Sequence, residues 1–228
     1  LFVLEERQKV RLAVERLGLS SCQPFVPEKR IIEYMIPAAS KPTLTGLTLR
    51  GFIEHPAMVA SVVPSSQATI EAMLAKVDWD RCRLFIEYGS GVGTFTTRIL
   101  DCLAPDARLI AIDTNPRFVD FLKKTIDDPR LEVALGSAED VESLVRAAGH
   151  SRADYVISGL PFSSLPPETA GRIVAATYAV LRDGGAFMTY QFRPTAKELT
   201  QARFERVDTG LALFNVPPCI LAWGWKEN

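Results

Sequence analysis

The pattern of apolar and polar positions changes character between residues 62 and 80. Beyond it, short apolar runs alternate with amphipathic stretches of helical length, which is typical of βαβ units and a mostly parallel sheet covered on both faces. The apolar runs predict strands at Leu84–Tyr88, Leu109–Asp113, Leu131–Leu135, Tyr155–Ser158, Ala186–Phe192, about Phe204–Asp208, and Cys219–Trp225. Helical spacing predicts helices at Thr94–Leu103, Pro116–Ile126, Ala138–Ala148 and Pro167–Leu181.

The segment before this core has a different pattern. An apolar stripe at helical spacing predicts an amphipathic helix over about residues 4–18. Four prolines break the segment that follows, and "SSQATIEAML" predicts a capped helix that enters the core. We therefore expect an N-terminal helical extension, residues 1–65, and an α/β core, residues 66–228. Within the core, "RDGG" predicts a helix stop and a turn, and the prolines of "NVPPC" predict a loop before the last strand.

Composition narrows the class of protein. Hydrophobic residues make up 47% of the chain, enough for a sizeable core, and the net charge of −1 provides no global basic field for nucleic acid. No apolar run reaches the roughly 18 residues of a membrane-spanning helix, and there is no signal-peptide pattern. The four cysteines form no CxxC pair, so we expect no metal site, no disulfide framework and a reducing cytoplasmic setting.

The stretch "RLFIEYGSGVGTF" holds the candidate chemistry. Gly89, Gly91 and Gly93 follow a predicted strand and precede a predicted helix, where backbone can approach a ligand closely. A dinucleotide-binding turn has the pattern GxGxxG, but Thr94 occupies its third position. Glu87, about 4 Å from a pyrophosphate, would repel it by about 4 kcal/mol at an effective dielectric constant near 20. The turn therefore favours a ligand with an ammonium group and no phosphate.

S-adenosylmethionine has these properties, because it carries an amino-acid head, a sulfonium and an adenosine. Asp113 ends the next predicted strand, 20 residues after Gly93, and a carboxylate there can accept both ribose hydroxyls. The alternative is a glycine-rich turn that only permits tight packing. The acid, the three spaced glycines and the second acid together favour the ligand.

With these motifs the sequence resembles the class I methyltransferases. The run Ser158-Gly159-Leu160-Pro161-Phe162, together with Gly51–Ser66 and Asn215–Cys219, resembles more specifically the bacterial phospholipid N-methyltransferases. These enzymes convert phosphatidylethanolamine stepwise towards phosphatidylcholine. The resemblance spans about residues 51–226 and implies a Rossmann-like α/β fold. Its sheet has seven strands, mostly parallel, with an antiparallel last strand and an N-terminal helical extension.

The resemblance also implies which residues hold the cofactor. Many members of the family have an acid at the position of Ser137 that accepts a hydrogen bond from the adenine amino group, so Glu139 is expected to replace it, with Ala138 offering its backbone N–H. Alternatively, Ser137 caps the helix that begins near Ala138. The complete expected set is Glu87, Gly89, Ser90, Gly91, Gly93, Thr94, Asp113, Thr114, Ser137, Ala138, Glu139 and Ser158.

A separate group of residues is implied for the methyl acceptor. Backbone carbonyls of the "SGLPF" run would accept hydrogen bonds from the nucleophilic amine, and the Phe162 ring would face the methylated cation. Tyr190 would contact the amine, and His55 is the candidate base. The alternatives are a packing role for Phe162 and Tyr190 and an ordinary turn histidine at position 55. The expected catalytic set is therefore Ser158, Gly159, Leu160, Pro161, Phe162, Tyr190 and His55.

The function implied is methyl transfer from S-adenosylmethionine to the head-group amine of a phospholipid, with S-adenosylhomocysteine as the second product. Basic residues of the helix over residues 4–18 can contact an anionic membrane, so we expect a cytoplasmic protein with peripheral contact at the inner face. An ordinary helix packed over the site is the alternative. A methyltransferase for a soluble amine or an RNA base, and a binding module without catalysis, remain as other functions; no nucleic-acid partner is expected.

Overall fold

The computed structural model describes residues 67–212 and 218–227. The predicted helix over residues 4–18, His55 and most of "NVPPC" lie outside the described residues, as does the predicted division at residue 65. The α-helices described are α1 Gln67–Leu74, α2 Thr94–Cys102, α3 Pro116–Thr125, α4 Val141–Ala147, α5 Pro167–Val180 and α6 Thr195–Arg203. The strands are β1 Leu84–Tyr88, β2 Arg108–Asp113, β3 Leu131–Leu135, β4 Ala153–Ser158, β5 Leu181–Gln191, β6 Arg206–Ala212 and β7 Cys219–Trp225.

The seven strands form one sheet in the order β3-β2-β1-β4-β5-β7-β6. Strands β1 to β5 pair in parallel, whereas β7 runs antiparallel to both β5 and β6. The predicted Rossmann-like sheet with an antiparallel last strand is therefore confirmed. Because the strand order reverses beside β1, a crevice is expected between the carboxyl ends of β1 and β4, where ligands bind in such sheets.

The sheet separates two apolar clusters. One face packs against α1 and α2 around Met73, Phe85 and Ile99, and the other packs against α4 and α5 around Ile86 and Val141. Strand β1 is buried at all five positions, as a central parallel strand covered by helices must be. This double burial fixes the carboxyl end of β1, from which the glycine-rich turn extends.

Three local expectations differ from the structure. The "RDGG" run was expected to form a turn, but it lies within β5, where the pairing with β4 shifts register between Ala153 and Tyr155. Gly184, at φ 73°, provides the irregular backbone there. Helix α6 was not predicted, and the strand expected at about Phe204–Asp208 begins later, at Arg206, because Phe204 ends that helix. The helix expected at Ala138–Ala148 is a 3₁₀ turn, Ala138–Asp140, followed by α4.

The described part of the chain contains no helix that is both long and apolar enough to cross a bilayer.

Candidate active site

The glycine-rich turn between β1 and α2 has a backbone that only glycine adopts readily. Gly89, Gly91 and Gly93 have φ values of 67°, 53° and 84°, in the left-handed region. A methyl group added at Gly93 would also lie 2.5 Å from Leu122 Cδ2. Alternating glycines therefore bring bare backbone to the amino end of α2, as a closely approaching ligand requires.

Asp113, at the end of β2, holds this turn in place. Its Oδ2 accepts a hydrogen bond from the Gly91 N–H at 3.0 Å, and its Oδ1 accepts one from the Asn115 N–H at 2.8 Å. The side chain is buried, so both bonds lie in a medium that strengthens them. Sequence reasoning assigned Asp113 only to the ribose, and it missed this bracing role.

Glu87, the acid before the turn, is a buried carboxyl group hydrogen-bonded to the side chain of Thr96. The Thr96 hydroxyl donates to Glu87 Oε2 at 2.6 Å, and Thr96 is itself fully buried. Burial raises the pKa of Glu87 to about 8; the nearby charge of Asp113 adds to the rise, while the Thr96 hydrogen bond opposes it. A cationic ligand would favour the ionised form, so this carboxyl group suits an ammonium and would oppose a phosphate.

The residues of this turn fit S-adenosylmethionine. Two carboxyl groups face a stretch of bare backbone, and no basic side chain among residues 67–212 and 218–227 forms a hydrogen bond with either of them. The Ser90 hydroxyl is buried and has no hydrogen-bond partner within residues 67–212 and 218–227, so it is available for a polar ligand atom. Thr94 begins α2 with a partly exposed side chain, and Thr114 is exposed just after Asp113.

In the segment after β3, Ser137 and Glu139 form hydrogen bonds with other residues of the chain. Ser137 caps the 3₁₀ turn, accepting from the Glu139 N–H at 3.2 Å. Glu139 Oε1 accepts from Arg172 Nε at 2.5 Å, so its carboxylate is already paired with a cation. Ala138 is buried. The capping alternative therefore describes Ser137, and the adenine-binding role of Glu139 stays a prediction that must compete with Arg172.

The "SGLPF" loop after β4 lies against the glycine-rich turn. A methyl group added at Gly159 would lie 3.2 Å from the Gly89 carbonyl oxygen and 2.7 Å from the Tyr190 hydroxyl oxygen. A methyl group added at Gly89 would lie 3.1 Å from Leu160 Cδ2. The two loops and the end of β5 thus meet in van der Waals contact, which glycine at both positions makes possible.

Hydrogen bonds within this loop engage most of its backbone. The Gly159 N–H donates to the Tyr88 carbonyl at 2.9 Å, and the Leu160 N–H donates to Ser158 Oγ at 3.2 Å. The Leu160 carbonyl accepts from both the Phe162 N–H at 2.9 Å and Gln191 Nε2 at 2.8 Å. Since a carbonyl oxygen has two lone pairs, the expectation that Leu160 offers its carbonyl to the amine needs correction: that oxygen is already saturated.

The two aromatic residues expected at the acceptor site, Phe162 and Tyr190, lie in different surroundings. Phe162 is 1% exposed, and its ring packs at a centroid distance of 6.3 Å against Phe187 inside the apolar cluster. The expectation that its ring faces a methylated cation is therefore corrected, because the core occupies that ring. Tyr190 is half-buried and stacks on Phe95 at 4.7 Å, with its hydroxyl over Gly159. Tyr190 is thus the aromatic ring next to the loop.

Sequence reasoning missed three residues that support these side chains. Thr96 anchors Glu87, Asn115 completes the bracing by Asp113, and Gln191 binds the "SGLPF" loop. Gln191 could have been found, because it directly follows Tyr190 at the carboxyl end of a predicted strand. Thr96 carried no comparable signal, since its contact depends on how α2 packs against β1. His55 lies outside the described residues, so its candidacy as a base stays a prediction.

The fold and this site define a class of protein, the S-adenosylmethionine-dependent enzymes of Rossmann-like fold. The chain matches the family "Methyltransferase domain" over residues 85–185. It is 29% identical over 174 residues to an ornithine lipid N-methyltransferase from Singulisphaera acidiphila, covering 75% of this chain and 91% of that protein. Residues 85–185 form a class I S-adenosylmethionine-dependent methyltransferase domain, so the predicted enzyme class and cofactor are confirmed.

A solved structure with the same fold is the 1,6-didemethyltoxoflavin-N1-methyltransferase of Burkholderia thailandensis, which contains S-adenosylhomocysteine. It has 14% sequence identity and a TM-score of 0.55, and it covers 92% of this chain and 95% of that chain.

Residues at the start of the chain match a second family, "Formiminotransferase domain", over residues 1–37. The chain is 48% identical over 80 residues to formimidoyltransferase-cyclodeaminase from Dictyostelium discoideum, covering 32% of this chain and 14% of that protein. The chain thus spans about a seventh of that relative's length. So short a match gives no basis for assigning that protein's activity here.

Proposed function

We propose that the chain is an N-methyltransferase acting on the head-group amine of a membrane lipid, either phosphatidylethanolamine or an amino-acid-derived lipid. The observation that carries the proposal is the similarity to an ornithine lipid N-methyltransferase along nearly the whole of that relative. The site is compatible with it, because the cofactor turn and the "SGLPF" loop touch at the carboxyl edge of the sheet.

The chemistry needs a neutral amine next to a methyl donor. When bound, S-adenosylmethionine supplies a methyl group on a sulfonium; the amine nitrogen forms the new bond to carbon, and the carbon–sulfur bond breaks to leave a thioether. A primary amine has a pKa near 10.4 by analogy with lysine, so about one molecule in a few thousand is neutral at pH 7. The acceptor site must therefore lower the amine pKa, and desolvation is the strongest way to do so.

The glycine-rich turn would bind the cofactor, and the "SGLPF" loop would bind the amine. On the cofactor side, Glu87 would bind the cofactor's ammonium group and Asp113 its ribose hydroxyls, while the glycine turn admits them at close range. On the acceptor side, the Tyr190 hydroxyl over Gly159 would receive a hydrogen bond from the amine. Positioning of the two reactants would supply most of the remaining rate acceleration.

Exposed apolar side chains support a lipid acceptor rather than a soluble one. Phe192, 43% exposed, follows β5 directly, and Leu211, 58% exposed, lies at the same edge of the sheet on β6. Arg193 is exposed beside Phe192. An exposed aromatic ring next to a basic side chain suits the interface of an anionic membrane. The membrane-facing role predicted for residues 1–65 remains part of the proposal, outside the described residues.

The test is incubation of the full chain with methyl-labelled S-adenosylmethionine and vesicles of anionic lipid, with phosphatidylethanolamine or an ornithine lipid added. The proposal expects label in the amine of one of these lipids, and more of it as the anionic fraction rises. A parallel reaction contains ethanolamine as a water-soluble amine without vesicles. Faster methylation of ethanolamine than of both lipids would reject the lipid assignment and support the soluble-amine alternative.

An RNA base is the weaker alternative. The basic residues near α6 are partly occupied, since Arg206 pairs with Glu227 at 3.0 Å and Arg203 lies over the Tyr178 ring at 4.1 Å. Glu198 and Glu205 interrupt the same stretch. A strip for binding phosphates would instead present unpaired lysine and arginine side chains.

A further inference from the structure

Gln191 joins two parts of the sheet edge that the sequence keeps 31 residues apart. It is the last residue of β5, directly after Tyr190, and its partner in the sheet is Ile220 of β7. Its side chain takes no part in the backbone hydrogen bonds of the sheet. Instead Nε2 donates to the Leu160 carbonyl at 2.8 Å, at the centre of the "SGLPF" loop.

This hydrogen bond fixes the orientation of the Gln191 amide. A carbonyl oxygen can only accept, so the group that faces Leu160 must be the NH₂ and not Oε1. The amide oxygen is therefore the end of the group that is turned away from the Leu160 carbonyl.

The same bond leaves the Leu160 carbonyl with less capacity for a substrate than its neighbours in the loop. Leu160 accepts two hydrogen bonds, and the Pro161 carbonyl accepts one from the Ser164 N–H at 2.8 Å. The Gly159 carbonyl has no hydrogen-bond partner among residues 67–212 and 218–227. It belongs to the residue over which the Tyr190 hydroxyl lies.

We propose that Gln191 is a positioning residue for the methyl acceptor: by tying down Leu160, it holds the loop so that the Gly159 carbonyl, beside the Tyr190 hydroxyl, receives the amine N–H. This inference rests on the proposed function for the identity of the acceptor as an amine. The holding of the loop is independent of it, since both hydrogen bonds to Leu160 come from residues of the chain itself.

The test compares three variants of the full chain. Gln191→Leu has similar bulk and removes the donor; Gln191→Glu keeps the shape and can donate only while its carboxyl group is protonated. Gln201→Leu, an exposed glutamine on α6, is the matched control. We expect Gln191→Leu to lower kcat/KM for the lipid amine about 10-fold, the size of one lost hydrogen bond. Its Kd for S-adenosylhomocysteine should stay within about 2-fold, and Gln201→Leu should match the wild type in both.

The Gln191→Glu variant gives a readout that a purely structural role would not move. Its activity relative to wild type should fall as pH rises from about 5 to 8, because ionisation of the new carboxyl group removes the donor to Leu160. A pH-independent ratio would overturn the proposal. So would a Gln191→Leu variant that keeps the wild-type kcat/KM, or one that loses amine and cofactor affinity equally.

Hydrogen exchange separates this inference from the proposed function. If the wild-type chain methylates no amine, the proposed function fails, but the loop can still be examined directly. Amide exchange over residues 159–165 should be faster in Gln191→Leu than in the wild type and the control, since the Phe162 N–H loses a fixed acceptor. Unchanged exchange in that segment would overturn the positioning role even if methyl transfer is observed.

Discussion

The two loops that meet at the carboxyl edge of the sheet are held by different means. The turn after β1 is held by the neighbouring strand β2, because Asp113 accepts a hydrogen bond from the turn's backbone. The glycines of the turn adopt the φ values that this conformation requires. The loop after β4 depends on β5, through Gln191 at Leu160 and the Tyr190 hydroxyl over Gly159. The predicted cofactor half is thus braced within the consecutive strands β1 and β2, whereas the predicted acceptor half also depends on β5, 31 residues further along the chain from Leu160.

The largest effect is expected from Asp113→Ala, which should disable the cofactor half alone. The substitution removes the acceptor of two backbone hydrogen bonds as well as the predicted ribose ligand. Because hydrogen bonds to a charged group contribute about 1.5–3 kcal/mol each, affinity for S-adenosylhomocysteine should fall at least about 100-fold by calorimetric titration. Asp120→Ala, an exposed aspartate on α3, is the control. Affinity within 3-fold of the wild type would remove Asp113 from the site.

The second prediction concerns pH and Glu87. The pKa of this carboxyl group is raised to about 8 in the folded chain, against 4.5 ordinarily, so the folded state binds the proton more tightly than the unfolded state. Its stabilising effect is complete below about pH 4.5 and is lost as pH rises to about 8. The free energy of unfolding without cofactor should therefore decrease over this window, by up to about 1.4 kcal/mol per pH unit.

Urea unfolding at several pH values measures this dependence, with Glu87→Gln as the matched control. The variant lacks the titrating group, so its stability should vary less between pH 5 and pH 8. Saturating S-adenosylhomocysteine should also flatten the wild-type curve, because a cationic amino group lowers the pKa of the acid beside it. Equal slopes in the wild type and in Glu87→Gln would show that Glu87 does not titrate in this range.

A third prediction addresses the contact between the halves. Gly159→Ala would place a methyl group 2.7 Å from the Tyr190 hydroxyl oxygen, and we expect a loss of about 1–3 kcal/mol in unfolding free energy. Tyr190→Phe removes that oxygen and leaves the ring carbon at an ordinary 3.5 Å, so the double variant should recover part of the loss. A double-mutant cycle by chemical denaturation measures the coupling. Strict additivity would contradict the close contact.

The smallest effect is expected at Glu139. Its carboxylate pairs with Arg172 on a partly exposed surface, where such pairs contribute up to about 1 kcal/mol. Glu139→Ala should therefore weaken binding of S-adenosylhomocysteine by no more than about 3-fold in the same titration. A 30-fold loss would instead assign Glu139 to the adenine amino group, as the family resemblance implies.

The mostly parallel sheet and the glycine-rich turn were predictable because each follows from a local pattern. Buried parallel strands read as apolar runs, and the acid and glycines lie within seven residues. Helix α6 was missed because its mixed composition offers no clear apolar stripe. Phe162 was misjudged for a related reason: an aromatic residue after a strand suits either a ligand or the core, and only the packing of Phe187 decides between them.

The most direct test of the division between the loops is a crystal structure of the full chain with S-adenosylhomocysteine and an amine head-group analogue. We expect the cofactor's amino group at Glu87, its ribose hydroxyls at Asp113, and the amine nitrogen within hydrogen-bond distance of the Gly159 carbonyl and the Tyr190 hydroxyl. An adenosyl group bound away from the β1 turn, or an amine on the far side of the sheet from Gly159, would contradict it.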